Sequence, residues 1–283
     1  MYAPRKSANQ VNKFGIGPTP EINLRVSVAH LVRVLFTHPT EQKKKLILER
    51  TATIHVDRGN QEITVKAKPF GGGVQINDTA ALKTAVGEFR FDSISSHNES
   101  DFRIYIHPAA WDSLKNFCVH QIQFQEIALE LTPRRELCEE FRDCLGINLL
   151  PDQYSLERSS IAVESLPVQT SNIRAAGNPT VRIYSVHEMW IHDQPLIRKV
   201  LENSASRSDH QLRRLAQEDY LAGNKGRANA ALVLDYEHII QTYRGRSDEQ
   251  GSGIMQYRGH DLDGNVLAIL EPVKANKYQQ LHE

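Results

Sequence analysis

The chain has 283 residues, 40% of them hydrophobic and 24% charged, which is enough to bury a sizeable core as one large domain or two small ones. Lys plus Arg equals Asp plus Glu at 34 each, so no global field draws the chain to nucleic acid, and an anionic ligand needs a local site. The apolar runs fall far short of the about 20 residues a membrane span requires. Three cysteines (Cys118, Cys138 and Cys144) with no C-x-x-C pair argue against a disulfide framework or structural zinc and for a reducing cytoplasm.

Residues 1–20 carry Pro4, Gly15, Gly17, Pro18 and Pro20 among polar residues and lack the apolar core of a secretory signal. They read as an arm or irregular lead-in. INLRVSVAHLVRVLFTHP predicts a short helix around 24–36, stopped before Pro39, with a strand as the open alternative. EQKKKLILE (41–49) reads as a second short helix or the entry to a strand, and Lys43, Lys44 and Lys45 as a solvated basic face.

TATIHVD (51–57) and EITVKAK (62–68) alternate around Arg58-Gly59-Asn60 and predict a β-hairpin. The second strand runs into Pro69-Phe70-Gly71-Gly72-Gly73-Val74. Three glycines after a strand mark a tight turn or a close approach of backbone to something else. EFRFDS (88–93) and DFRIYIH (101–107) alternate as two strands around a polar connection, and Pro108 to His120 opens like a helix.

The segment Thr132 to Ile147, T-P-R-R-E-L-C-E-E-F-R-D-C-L-G-I, organises the reading. Thr132 suits an N-cap, Pro133 the first helical position and Gly146 the C-terminal stop. At 100° per residue, Leu137, Phe141, Cys144 and Leu145 share a core-facing stripe. Glu136, Glu139, Glu140 and Asp143 share a second stripe, flanked by Arg135 and Arg142. Carboxylates so placed repel by a few tenths of a kcal/mol per pair. A hard divalent cation reverses that sign, and a solvated acidic face at the positive end of the helix dipole also accounts for it.

Further on, QYSLERSSIAVES (153–165) and PTVRIYSVHEMWI (179–191) predict two strands separated by a loop around Asn172 to Asn178. DHQLRRLAQEDYLA (209–222) predicts a polar amphipathic helix. GNKGRANAALVLDY (223–236) passes from a glycine-containing loop into an apolar strand or helix start, Glu237 to Tyr243 reads as helix, and NVLAIL (265–270) as a short strand. Lys225 and Arg227 beside Gly223 and Gly226 suit a phosphate nest without P-loop spacing, and a basic surface turn explains them as well. Trp111 and Trp190 read as core aromatics, and nothing marks Cys138 as a nucleophile.

Arg135-Glu136-Leu137-Cys138-Glu139-Glu140 resembles the core of the Nudix box, R-E-U-x-E-E with U aliphatic, and Pro69 to Gly73 resembles the P-G-G-G with which that pattern begins. The resemblance implies that Glu136, Glu139 and Glu140 hold Mg²⁺ or Mn²⁺ against a pyrophosphate, that Arg135 orients a glutamate, and that Gly71, Gly72 and Gly73 belong to the same cofactor site. It implies metal-assisted attack of water on a diphosphate linkage.

The chain departs from the pattern. Phe70 stands between the proline and the glycines, and Gly73 and Arg135 are much further apart than in the family. About 78–125 therefore reads as an insertion; the alternative is that glycines and helix belong together only by chance. Ile127 stands where the family has an upstream glutamate, with Glu126 and Glu130 out of register, and the helix runs about one extra turn before Gly146. Glu164, Glu188 and Glu218 are later candidates for a general base, each also read as a surface residue.

The expected fold is α/β, a Nudix-like mixed sheet sandwiched between helices over 46–283, with an N-terminal extension at 1–45 and the inserted subdomain. The expected function is a Mg²⁺- or Mn²⁺-dependent hydrolase of a nucleoside-diphosphate-linked compound. Its partner is a small-molecule nucleotide-type substrate rather than a membrane, and a homodimer stays open. Two other readings stay open: a Nudix-fold module that binds a ligand or partner without catalysis, and an α/β protein whose helix simply has an acidic face.

Overall fold

The computed structural model describes residues 24–57, 60–164, 166–168, 178–223, 229–243, 254–270 and 278–281. In chain order they form β1 (Leu24–Thr37), β2 (Lys44–Asp57), β3 (Asn60–Lys68), α1 (Thr79–Val86), β4 (Phe89–Phe91), α2 (Ile94–Asn98) and β5 (Arg103–Ile106). There follow α3 (Trp111–Gln123), α4 (Arg134–Glu140), β6 (Tyr154–Glu164), β7 (Thr180–Ile191), α5 (Gln194–Ser206) and α6 (Asp209–Leu221). The last are β8 (Asn229–Asp235), α7 (Tyr236–Tyr243), β9 (Ile254–Tyr257), β10 (His260–Asp263), α8 (Val266–Ile269) and β11 (Tyr278–Leu281). The class is mixed α/β, built on one large, mostly antiparallel open sheet whose main path runs β11-β6-β7-β1-β2-β3-β10-β9.

β1 is the centre of that sheet. One edge pairs in parallel with β7 from Arg25↔Thr180 to Leu35↔Trp190. The other edge has three partners in succession: β5 at residues 24–27, the glycine segment through Ala29↔Gly73 and Val32↔Phe70, and β2 at residues 34–37. The glycines thus fill the gap where the sheet divides between β5 and β2. The helix expected at 24–36 is a strand. Val26, Val28, Val32 and Val34 are buried, and so are Leu31 and Leu35 on the opposite face. A strand buried on both faces has no alternation to read, and a short apolar run of this kind is indistinguishable from a helix by periodicity.

The two faces have separate cores. Leu31 and Leu35 pack with Tyr236 and Ile239 of α7 and with α8. Val32, Val34 and Phe36 pack with Leu137 of α4 and with Leu196, Ile197 and Val200 of α5. Val26 and Val28 pack with Leu82 of α1 and with Leu114, Cys118 and Ile122 of α3. The segment expected as an N-terminal extension at 1–45 therefore contains the sheet's central strand from Leu24 onward, and the segment at 78–125 adds β4 and β5 to the sheet beside it.

The hairpin pairs as expected, ending at Asp57↔Asn60, and 41–49 resolves to the entry into β2. β4, β5, α3, β6, β7 and α6 fall where the pattern puts them, and 223–243 gives β8 and then α7. NVLAIL is a short helix, α8, with all four of its residues buried; an all-apolar run has no period to separate the two states. Residues 1–20, most of the loop around 172–178, and Asn224 to Arg227 lie outside the described residues. Among those described, no helix is long and apolar enough to cross a membrane.

Candidate functional site

The acidic helix is held by its other face. Leu137, Phe141, Cys144 and Leu145 are buried as the 100° periodicity requires. Phe141 lies against Phe70 with ring centroids 4.8 Å apart, so the residue that interrupts the proline-glycine run is the one that clamps the glycine segment to α4. Thr132 Oγ1 accepts only a long bond from the Arg134 N–H, 3.4 Å. After Glu140 the helix widens into a π turn, Phe141–Leu145, closed by Gly146 in the left-handed region at φ +67°. That turn takes up the extra residues and carries Asp143 away from the other carboxylates; Asp143 pairs with Arg142 at 3.0 Å on the surface. Leu137→Ala should cost about 2–5 kcal/mol, read from the urea midpoint, and a near-neutral midpoint contradicts this packing.

The glycine segment and the acidic helix meet. The Gly71 N–H donates to Glu140 Oε2 at 2.5 Å. A Cβ on Gly72 would stand 2.1 Å from Glu136 Oε2, so only glycine admits that carboxylate. Arg135 Nη2 donates to the Gly73 carbonyl at 3.4 Å. Arg135 also reaches Glu136 at 2.7 Å and Glu139 at 3.7 Å. Its Nε and Nη2 grip both oxygens of Glu130, at 3.2 and 3.1 Å. Glu130 is in turn anchored just beyond the glycines, donating its N–H to the Gln75 carbonyl at 2.8 Å and accepting the Gln75 N–H at 3.3 Å. Bidentate pairing of this kind fixes orientation as well as charge.

Glu140 sits deeper. Lys68 Nζ lies 3.2 Å from Glu140 Oε1 and 2.9 Å from Glu49 Oε2. Burial pushes the Glu140 carboxyl up to about 8, with Glu49 adding to the rise and Lys68 and the Gly71 N–H opposing it. Burial also raises Glu136, against the pull of Arg135. Burial works against the charge on Lys68, but Glu140 and Glu49 outweigh it and raise its pKa.

Lys68, Arg135, Glu136 and Glu140 line one cleft of about 610 Å³, a usual size for a small-molecule site. All seven residues expected at the site border it: Gly71, Gly72, Gly73, Arg135, Glu136, Glu139 and Glu140. The cleft also holds Lys68, Glu99, Asp101 and Arg103, which the sequence reading did not assign, so five carboxylates face three cations. Glu164 is not a surface residue but is buried against Arg182 at 3.0 Å, and Glu188 is half-buried and pairs with Arg33 at 2.7 Å. Glu218 is exposed and stands 3.5 Å from Arg214. None of the three borders the cleft.

All-oxygen donors and an excess of carboxylate suit Mg²⁺ or Mn²⁺. Among the described residues, however, no three His, Cys, Asp or Glu side chains are grouped as a ready ligand set. Glu136 and Glu140 face Arg135 and Lys68, and Glu139, with its side chain 47% exposed and only the 3.7 Å approach to Arg135, is the least engaged of the three. Compared with family models, with curated proteins and with solved structures, the chain finds no match in any of the three.

His30 Nδ1 lies 3.2 Å from His187 Nε2, and both rings are buried. Burial lowers His30 to about 4, with Arg135 acting in the same sense and Glu130 against it. Burial lowers His187 to about 3, helped by His30 and Arg158. The stability these histidines contribute is present above their unfolded value near 6.5 and is lost as pH falls toward the folded values. Glu140 has the opposite sign: its contribution is present below about pH 4.5 and is lost as pH rises through about 8. Stability should therefore peak near pH 6.5, dropping by about 1–2 kcal/mol per histidine by pH 5. Glu140→Gln should flatten only the alkaline side. A urea midpoint that climbs steadily from pH 5 to 8.5 contradicts this.

Proposed function

We propose that the cleft hydrolyses a diphosphate linkage in a nucleoside-diphosphate-linked compound, as the resemblance to the Nudix box implies, within a Nudix-like arrangement of sheet and helices. The observation that carries the reading is the convergence of Gly71, Gly72 and Gly73 with Arg135, Glu136 and Glu140. Two segments that resemble one signature, separated in sequence by a run that contributes β4, β5 and α3, interlock at hydrogen-bonding distance. A glycine at each position where a side chain would collide with a carboxylate or with backbone supports the reading.

In this reading Glu139 and Glu136, with Glu140 behind them, hold Mg²⁺ or Mn²⁺. The cation, when bound, polarises phosphoryl oxygens and acidifies an attacking water. Arg135, fixed by Glu130, holds Glu136 at the cleft wall, and the glycine backbone leaves room for the substrate to approach. Lys68 balances the buried pair Glu49 and Glu140, so Glu140 keeps its place whether or not a cation is present.

A second reading has an observation of its own. Arg135 and Lys68 already neutralise Glu136 and Glu140, the arrangement expected of a module that binds a ligand or partner without catalysis. Turnover of a panel of nucleoside-diphosphate-linked compounds with Mn²⁺ or Mg²⁺ separates the two. Cation-dependent release of a nucleoside monophosphate supports the hydrolase; binding of panel members without turnover favours the module.

A further inference from the structure

The cleft has two walls of different chemistry. One is α4 with Glu136, Glu139 and Glu140; the other comes from residues 75–103 and presents Gln75, Glu99, Asp101 and Arg103. That second wall is rigidly tied to the glycines. The Phe102 N–H donates to the Val74 carbonyl at 2.8 Å, the Ile76 N–H to Ser100 at 2.7 Å, and Gln75 and Asp101 form an antiparallel bridge. Asp101 Oδ1 lies where a Cβ on Gly73 would be, 1.9 Å away, and Ser100 takes the left-handed conformation at φ +53° just before it. Arg103 opens β5, whose register Ser27↔Arg103 fixes it to the central strand.

The three cations of the cleft are not equivalent. Lys68 lies between two carboxylates, and Arg135 is engaged by Glu130 and Glu136 with Glu139 nearby. Arg103 has one ion pair, Nη1 to Asp101 Oδ2 at 2.8 Å, and its side chain remains 31% exposed beside the cleft. Asp101 holds one corner of the planar guanidinium and so aims the rest of the fork, the geometry that suits bidentate capture of phosphate oxygens.

We infer that Arg103 is a substrate-binding residue that takes the phosphoryl oxygens of an organic diphosphate where residues 75–103 line the cleft. The inference rests on the diphosphate reading above and adds to it a residue outside the signature. The ligand spans the cleft, with one phosphate toward the α4 carboxylates and their cation and the other on Arg103.

The probe is methylenediphosphonate, whose bridging carbon resists hydrolysis, titrated calorimetrically into the protein with Mn²⁺ present, after Mn²⁺ alone has been titrated. Arg103→Gln should weaken diphosphonate binding about tenfold or more and leave the affinity for Mn²⁺ alone within twofold of wild type. Diphosphonate binding within twofold of wild type in the folded variant overturns the role of Arg103 while leaving the cation site intact. Wild type that takes Mn²⁺ but not diphosphonate overturns it too, and wild type that takes neither overturns the hydrolase reading with it. Should Arg103→Gln fail to fold, phenylglyoxal labelling of the wild-type protein with peptide mapping decides. Protection of Arg103 by diphosphonate supports the inference, and equal labelling with and without it overturns it.

Discussion

Gly71→Ala is expected to destabilise the protein by roughly 2–6 kcal/mol, the sum of about 1–3 for an alanine held in a disfavoured conformation and about 1–3 for overpacking. Gly71 has φ +119°, and an added Cβ would lie 2.2 Å from the His30 carbonyl oxygen of β1. That neighbour is backbone of the central strand, paired along its other edge to β7, so it cannot yield without moving the sheet. Gly72→Ala is the control. Its Cβ meets the tip of the Glu136 side chain, which can swing aside. The urea midpoint should therefore fall sharply for Gly71→Ala and little for Gly72→Ala, which instead displaces a cleft carboxylate. Equal midpoints for the two would mean that the glycine segment does not sit against β1 as described.

Glu139→Gln is expected to remove cation-dependent turnover, by on the order of 10² or more in kcat, with the thermal midpoint unchanged. The structure separates this residue from its neighbours. Glu140 is tied to Lys68 and the Gly71 N–H, and Glu136 to Arg135, so replacing either breaks contacts with its neighbours as well as removing a carboxylate from the cleft. Glu139 is exposed enough that its loss costs the fold little. Full activity in Glu139→Gln removes the proposed mechanism; loss of activity together with loss of the fold would assign Glu139 a structural role.

The helix with its two stripes was legible because its code is local: a periodic apolar face, a glycine stop and a run of acids. The glycine segment was legible as a place of close approach, since three successive residues without side chains have few other uses. What they approach was not legible from local pattern, because the contact depends on β1 pairing first with β5, then with the glycines, then with β2. The same pairing explains why Asp101 and Arg103 were passed over. They alternate at the start of a strand like ordinary surface residues, and only the register of Arg103 with β1 and the bridge of Asp101 to Gln75 bring them to the cleft. Glu130 stood out of register in sequence, yet an extended segment paired to Gln75 and Ile76 delivers it to Arg135. Lys68 resembled any strand-end lysine, and its significance lies in Glu49, which comes from the neighbouring strand β2. β1 and α8 carry no legible period for one reason, burial on all sides, which erases the alternation that separates strand from helix.

The most direct test of the central claim, that the carboxylates of α4 hold a divalent cation, is a Mn²⁺ titration followed by electron paramagnetic resonance, with methylenediphosphonate present, on wild type and Glu139→Gln. The account predicts saturable binding in wild type that the substitution weakens at least tenfold, without a change in thermal midpoint. No saturable binding in wild type, or binding that Glu139→Gln leaves unaltered, would contradict it.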